Sequence, residues 1–167
     1  VVVRIDVVGR ERLRAVGAIM AAESDGWQLK RDLAAGLRLA TEPIIDDEKA
    51  RVRSIPSRGI TEGAPIRERI VDSLNVSVRF SGYAAGVVIR AGQTDDVRNF
   101  RNAPRRFNAR GGFRHPTFGH DPWVTQRGDP GWFSEPPFAH AEQLTAACLG
   151  AIVRMEARIA ARARAVP

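Results

Sequence analysis

One cysteine, three histidines and two lysines are all that this chain of 167 residues offers of the side chains on which much enzyme chemistry rests. Cys148 has no second cysteine to pair with, so an intramolecular disulfide is excluded, and the residue reads as a small buried apolar group. The histidines are His115, His120 and His140. His115 and His120 stand near Asp121, but their spacing follows no zinc pattern and no cysteine lies nearby. A small metal-dependent hydrolase built on these three is therefore a minor alternative. Neither a Gly-x-Ser-x-Gly elbow nor a phosphate-cradling glycine loop with its lysine occurs, and no dinucleotide fingerprint is present. These gaps argue against an enzyme, and they leave no metal or cofactor to assign.

Long apolar runs are missing too. No stretch approaches the roughly 20 residues of a membrane-spanning helix, and the opening residues 1–8 are interrupted by Arg4 and Asp6, so they read as neither leader nor anchor. With 44% hydrophobic and 27% charged residues, the chain has the composition of one folded domain spanning 1–167. The net charge of +7 is almost wholly arginine, since Lys30 and Lys49 are the only lysines. A guanidinium presents planar donors to carboxylate or phosphate, so acidic partners are favoured.

Hydropathy patterning predicts an α+β fold. Residues 1–8 alternate as a strand that ends at Gly9. Leu13, Val16 and Met20 recur at helical spacing, then Ser24, Asp25 and Gly26 supply turn chemistry. Leu29, Leu33, Leu37, Ala40 and Ile44 mark the clearest helix, which continues towards Val52 with a kink or break just before Pro43. Asp46, Asp47 and Glu48 fall on that helix and read as solvated surface. Residues 64–73 predict another helix. Val76, Val78 and Phe80, with Val87, Val88 and Ile89, predict a hairpin with one buried and one solvated face. The polar segment 93–112 predicts a mobile loop or a short exposed helix. Residues 113–138, dense in aromatics, proline and glycine, predict short strands joined by tight turns. Phe138, Ala141, Leu144, Cys148, Ile152, Met155 and Ile159 then define a long amphipathic C-terminal helix. Together these elements suggest one small antiparallel sheet packed against long helices.

Two segments carry candidate function. Arg101, Arg105, Arg106 and Arg110 are interleaved with Phe100, Phe107 and Phe113, the composition of a nucleic-acid contact surface or of a loop that packs on a neighbour. Downstream stand three strings: Arg114-His115-Pro116-Thr117-Phe118-Gly119, Trp123-Val124-Thr125-Gln126 and Pro130-Gly131-Trp132-Phe133. Combined with Ile55-Pro56-Ser57-Arg58-Gly59 after a long helix and the hairpin over 76–89, they resemble the tail-completion family of long-tailed bacteriophages, also called head–tail joining or neck proteins. The resemblance covers most of the chain.

That resemblance implies a structural virion protein at the head–tail junction, assembled in the bacterial cytoplasm. It implies a homo-oligomeric ring, sixfold, that meets head-completion or connector proteins on one side and tail-terminator or tail-tube proteins on the other. DNA would pass through the lumen, and no catalytic residue or cofactor is implied. The candidate assembly contacts are Arg114, His115, Pro116, Phe118, Gly119, Trp123, Gln126, Pro130, Gly131, Trp132 and Phe133. Any of these aromatics is equally at home in the domain's own core. The alternative function is a basic nucleic-acid-binding module.

Overall fold

The computed structural model describes residues 2–5, 10–22, 26–56, 65–82, 85–94, 101–117 and 120–165. The fold is α+β, with small antiparallel sheets and several helices, the last of them long. In chain order the elements are β1 (Val2–Ile5), α1 (Arg10–Ala22), α2 (Gly26–Leu39), α3 (Glu42–Ser54), α4 (Pro65–Asp72), β2 (Leu74–Arg79), β3 (Gly86–Ala91), α5 (Ala103–Phe107), β4 (Phe113–Thr117), β5 (His120–Gln126), α6 (Glu135–Ala139) and α7 (Ala141–Ala165). One sheet has the strand order β1-β3-β2, the other pairs β4 with β5. No described helix is long and apolar enough to cross a membrane.

The long periodic segment 29–52 breaks where proline demands it. Pro43 sits in the first turn of α3, where its missing N–H costs nothing. The end of α2 is closed by Thr41, whose buried hydroxyl donates to the Arg38 carbonyl at 2.7 Å while its N–H donates to the same oxygen at 2.9 Å.

The chain divides into two compact units. One comprises Arg4–Pro43, Val76–Ile89 and His140–Pro167. Here α1, α2 and α7 pack through Leu13, Val16, Met20, Leu29, Leu33, Leu37, Leu144, Cys148 and Ile152, all buried at the three- and four-residue spacing that sequence periodicity marks. Val87 of β3 meets Leu13, Leu37, Cys148 and Ile152 around a void of about 10 Å³, so the strand faces all three helices. Burial pushes the Cys148 thiol up to about 11, which keeps it protonated and unreactive. Arg12 and Glu156 form a bidentate pair between α1 and α7, and Arg158 donates to Asp32 at 2.6 Å.

Gly36, inside α2, has room for a methyl group: a Cβ there would lie 3.6 Å from the Ala151 Cβ, an ordinary contact. Gly36→Ala should therefore stabilise the protein by about 1 kcal/mol, because alanine has less backbone freedom to lose on entering a helix. A urea midpoint that falls rather than rises would show that α2 and α7 approach more closely than this.

The other unit comprises Val1–Val3, Ile44–Asn75 and Arg90–Ala139. Its core holds Ile44, Val52, Ile55, Ile70, Val71, Ala103, Phe107, Trp132 and Phe133.

Four expectations need correction. The second hairpin strand is not half-solvated: Val87, Val88 and Ile89 are all buried in this middle strand of the sheet, and their consecutive apolar run suits cover on both faces. The segment 93–112 contains α5, and this helix is not simply exposed, since Ala103, Pro104 and Phe107 are buried. Residues 95–100, with Asp95, Asp96 and Phe100, lie outside the described residues. Phe138 is not on the buried stripe of the last helix. It belongs to the separate short helix α6, initiated by Pro136 and Pro137, and is 78% exposed. Finally, Glu48 is fully buried, on the same face of α3 as Ile44 and Val52, four residues to either side.

Candidate functional site

Residues 101–135 of the second unit described above hold most of the candidate side chains. Phe107 closes α5 with its ring buried, and the Phe113 ring that opens β4 lies against it, centroids 5.4 Å apart. Arg106 covers Phe113 with its guanidinium 5.8 Å from the ring centroid. Gly112 makes the turn into β4 at φ +65, where a Cβ would come within 2.5 Å of the Gln126 carbonyl.

From this base β4 and β5 run as an antiparallel ribbon, with Phe113 opposite Gln126, Arg114 opposite Thr125, His115 opposite Val124 and Pro116 opposite Trp123. Cross-strand partners share a face, so Arg114, Trp123 and Thr125 belong to one side and Phe113, Val124 and Gln126 to the other. The Gln126 side chain ties the base down by donating to the Pro56 carbonyl at 3.1 Å and to the Arg127 carbonyl at 2.8 Å.

Beyond the base β5 is bare. Residues 121–125 are all exposed, with Trp123 at 52% and Val124 at 40% on opposite faces. Among the described residues neither strand pairs with a third. Trp123 and Val124 thus leave apolar side chains exposed on both faces of β5.

The Pro130-Gly131-Trp132-Phe133 turn goes the other way. Asn108, which caps α5, accepts hydrogen bonds on Oδ1 from the N–H groups of Gly131 at 3.2 Å and Phe133 at 3.3 Å. Gly131 holds φ +96, a conformation that favours glycine. Arg51 fastens α3 to this turn through Glu135 at 2.8 Å and Asp129 at 4.0 Å, and pairs with Asp47 of its own helix at 3.4 Å; its hydrogen bond to Glu135 raises the guanidinium further above its ordinary range. Trp132 and Phe133 are consequently fully buried, rings edge to face at 5.4 Å.

The candidate contacts therefore separate. Arg114, Trp123 and Pro130 are exposed; Gln126 and Gly131 are half-buried; Trp132 and Phe133 are core and offer no surface to a partner. His115 and Pro116 are placed on β4 by their backbone. Phe118 and Gly119, like Ser57, Arg58 and Gly59, lie outside the described residues. Of the basic candidates, Arg101, Arg105 and Arg110 are exposed and Arg106 is half-buried over Phe113.

Sequence reasoning missed Glu48, a buried glutamate whose two carboxylate oxygens find no hydrogen-bond donor. Burial, aided by the charge of Asp47, pushes its carboxyl up to about 8, so it is mostly protonated at neutral pH. Its four-residue spacing from Ile44 and Val52 was the available signal, outweighed by the acidic neighbours Asp46 and Asp47. Arg67 is also buried, with an unbonded Nε, and desolvation lowers its guanidinium from the ordinary range. Among the described residues no three histidine, cysteine or carboxylate side chains converge as metal ligands would.

Comparison with family models, curated proteins and solved structures finds no match to this chain.

Proposed function

We propose that this chain is a structural subunit of a bacteriophage head–tail junction, an assembly component that closes with copies of itself into a sixfold ring. On this reading it works within the virion, between head-completion or connector proteins and tail-terminator or tail-tube proteins, and performs no catalysis. The architecture goes with it: a small sheet packed against long helices, here β3 against α1, α2 and α7.

The observation that carries the proposal is the exposed β4–β5 ribbon with Trp123 and Val124. A ring needs head-to-tail contacts, in which one surface of each subunit fits a different surface of the next. A projecting strand pair supplies the inserting half of such a contact, and tryptophan is the residue type that most often dominates interface energy. Of the strings carrying the family resemblance, Trp132 and Phe133 are buried in the fold and Trp123 is exposed, which supports Trp123 as the contact residue on this reading.

Native mass spectrometry at two salt concentrations tests the proposal, alone and with tail-tube protein. Discrete rings or a stable complex with the tube are the expected result. The double substitution Trp123→Ser and Val124→Ser should weaken that association by about thirtyfold or more, the scale of losing a residue worth about 2 kcal/mol at an interface, while leaving the melting temperature unchanged. A strict monomer at micromolar concentration that ignores the tube would overturn the reading.

A further inference from the structure

Residues 101–127 contain six arginines, no lysine and a single acid, Asp121. The structure holds Phe107 and Phe113 inward and leaves Trp123 and most of the arginines exposed. Phe107 is buried and Phe113 lies against it at 5.4 Å beneath Arg106, so neither phenylalanine is free to stack on a base. Arg105, Arg110, Arg114 and Arg127 are exposed and, among the described residues, form no ion pair. The nearby acids do not neutralise them: Asp129 and Glu135 are turned to Arg51.

We propose that these four arginines bind duplex DNA through its phosphates, with the β4–β5 ribbon lying in a groove. Unpaired guanidiniums leaving from one folded-back segment match a polyanion of closely and evenly spaced charge, on which every phosphate accepts the same planar set of donors. The ribbon adds shape. β5 is exposed along 121–125, and a major groove about 12 Å wide admits a two-stranded ribbon. The contact is to phosphates, so sequence matters little, and the groove fit of the ribbon favours duplex over single strand. The ribbon cannot lie in a groove and insert into a neighbouring subunit at once, so this contact belongs to the unassembled subunit, and either activity can be lost without the other.

The test is fluorescence anisotropy with a labelled 30-base-pair duplex, the matching single strand as competitor, and a series of salt concentrations. Binding should weaken with a log–log salt slope of about −3 to −4, the value for four phosphate contacts. The triple substitution Arg105→Gln, Arg110→Gln and Arg114→Gln should weaken low-salt binding at least tenfold and flatten the slope to about −1. A control with the same charge change on the other unit, Arg31→Gln, Arg38→Gln and Arg79→Gln, should bind as the parent does. Native mass spectrometry of the first triple variant shows separately whether assembly survives. Equal losses in both triple variants, preference for the single strand, absence of binding at low salt, or displacement of DNA by polyglutamate at equal charge concentration would each overturn the proposal.

Discussion

Glu48→Gln should make the protein more stable at neutral pH, by about 3 kcal/mol, and should remove most of the pH dependence of its stability between about 4.5 and 8. The carboxyl is fully buried on α3 between Ile44 and Val52, and no donor reaches either oxygen. Its folded form therefore holds a proton up to about pH 8, while the unfolded chain releases it near the ordinary value of 4.5. Between those values the folded state binds more protons than the unfolded state. Stability must then fall as pH rises, by about 1.4 kcal/mol per pH unit, and level off above 8. Below pH 4.5 both states are protonated and nothing is lost. Glutamine copies the neutral acid in shape and polarity, so the variant and the parent should be nearly equal at pH 4.5 and diverge as pH rises. Urea unfolding at pH 5, 6.5 and 8 reads this directly. If the parent shows no decline over that window, or the variant gains nothing at pH 8, the carboxyl has a partner or a route to water that the structure does not reveal.

The same glutamate shows why part of the molecule was legible in sequence and part was not. Local rules located most elements. Leu13, Val16 and Met20 place α1, Pro43 separates α2 from α3, and the alternation of Val76, Val78 and Phe80 places β2. Each depends on a dihedral preference or a short periodicity that neighbouring residues satisfy by themselves. What escaped depends on tertiary position. Glu48 looks like a third member of an acidic surface run until the helix phase is fixed by Ile44 and Val52. Val87 to Ile89 look half-solvated until β3 is placed against α1, α2 and α7 as the middle strand of its sheet. Phe107 and Phe113 look like a nucleic-acid stacking pair until they close on each other, which leaves the arginines alone at the surface. Composition marked out the arginines and aromatics, and only folding decided which side chains of that set face outward.

Trp132→Ala should cost about 3–5 kcal/mol of stability, the usual range for deleting a fully buried aromatic side chain, and should do so without touching any surface the ribbon presents. The ring has no exposed area and packs edge to face on Phe133, and the backbone around it is held by Asn108 and by the Arg51 link to Glu135. Its Nε1 has no hydrogen-bond acceptor. Burying that donor is a liability, so Trp132→Phe loses volume but no hydrogen bond and should cost clearly less than alanine, about 1–2 kcal/mol. Guanidinium unfolding followed by circular dichroism measures both, independent of the tryptophan signal itself. Set beside the Trp123→Ser and Val124→Ser variant, the pair assigns the two tryptophans opposite duties: Trp132 should change stability, Trp123 should change association. Loss of assembly with full stability in Trp132→Ala would reverse that assignment. It would place the Pro130-Gly131-Trp132-Phe133 turn at a subunit contact, which its burial within one subunit argues against.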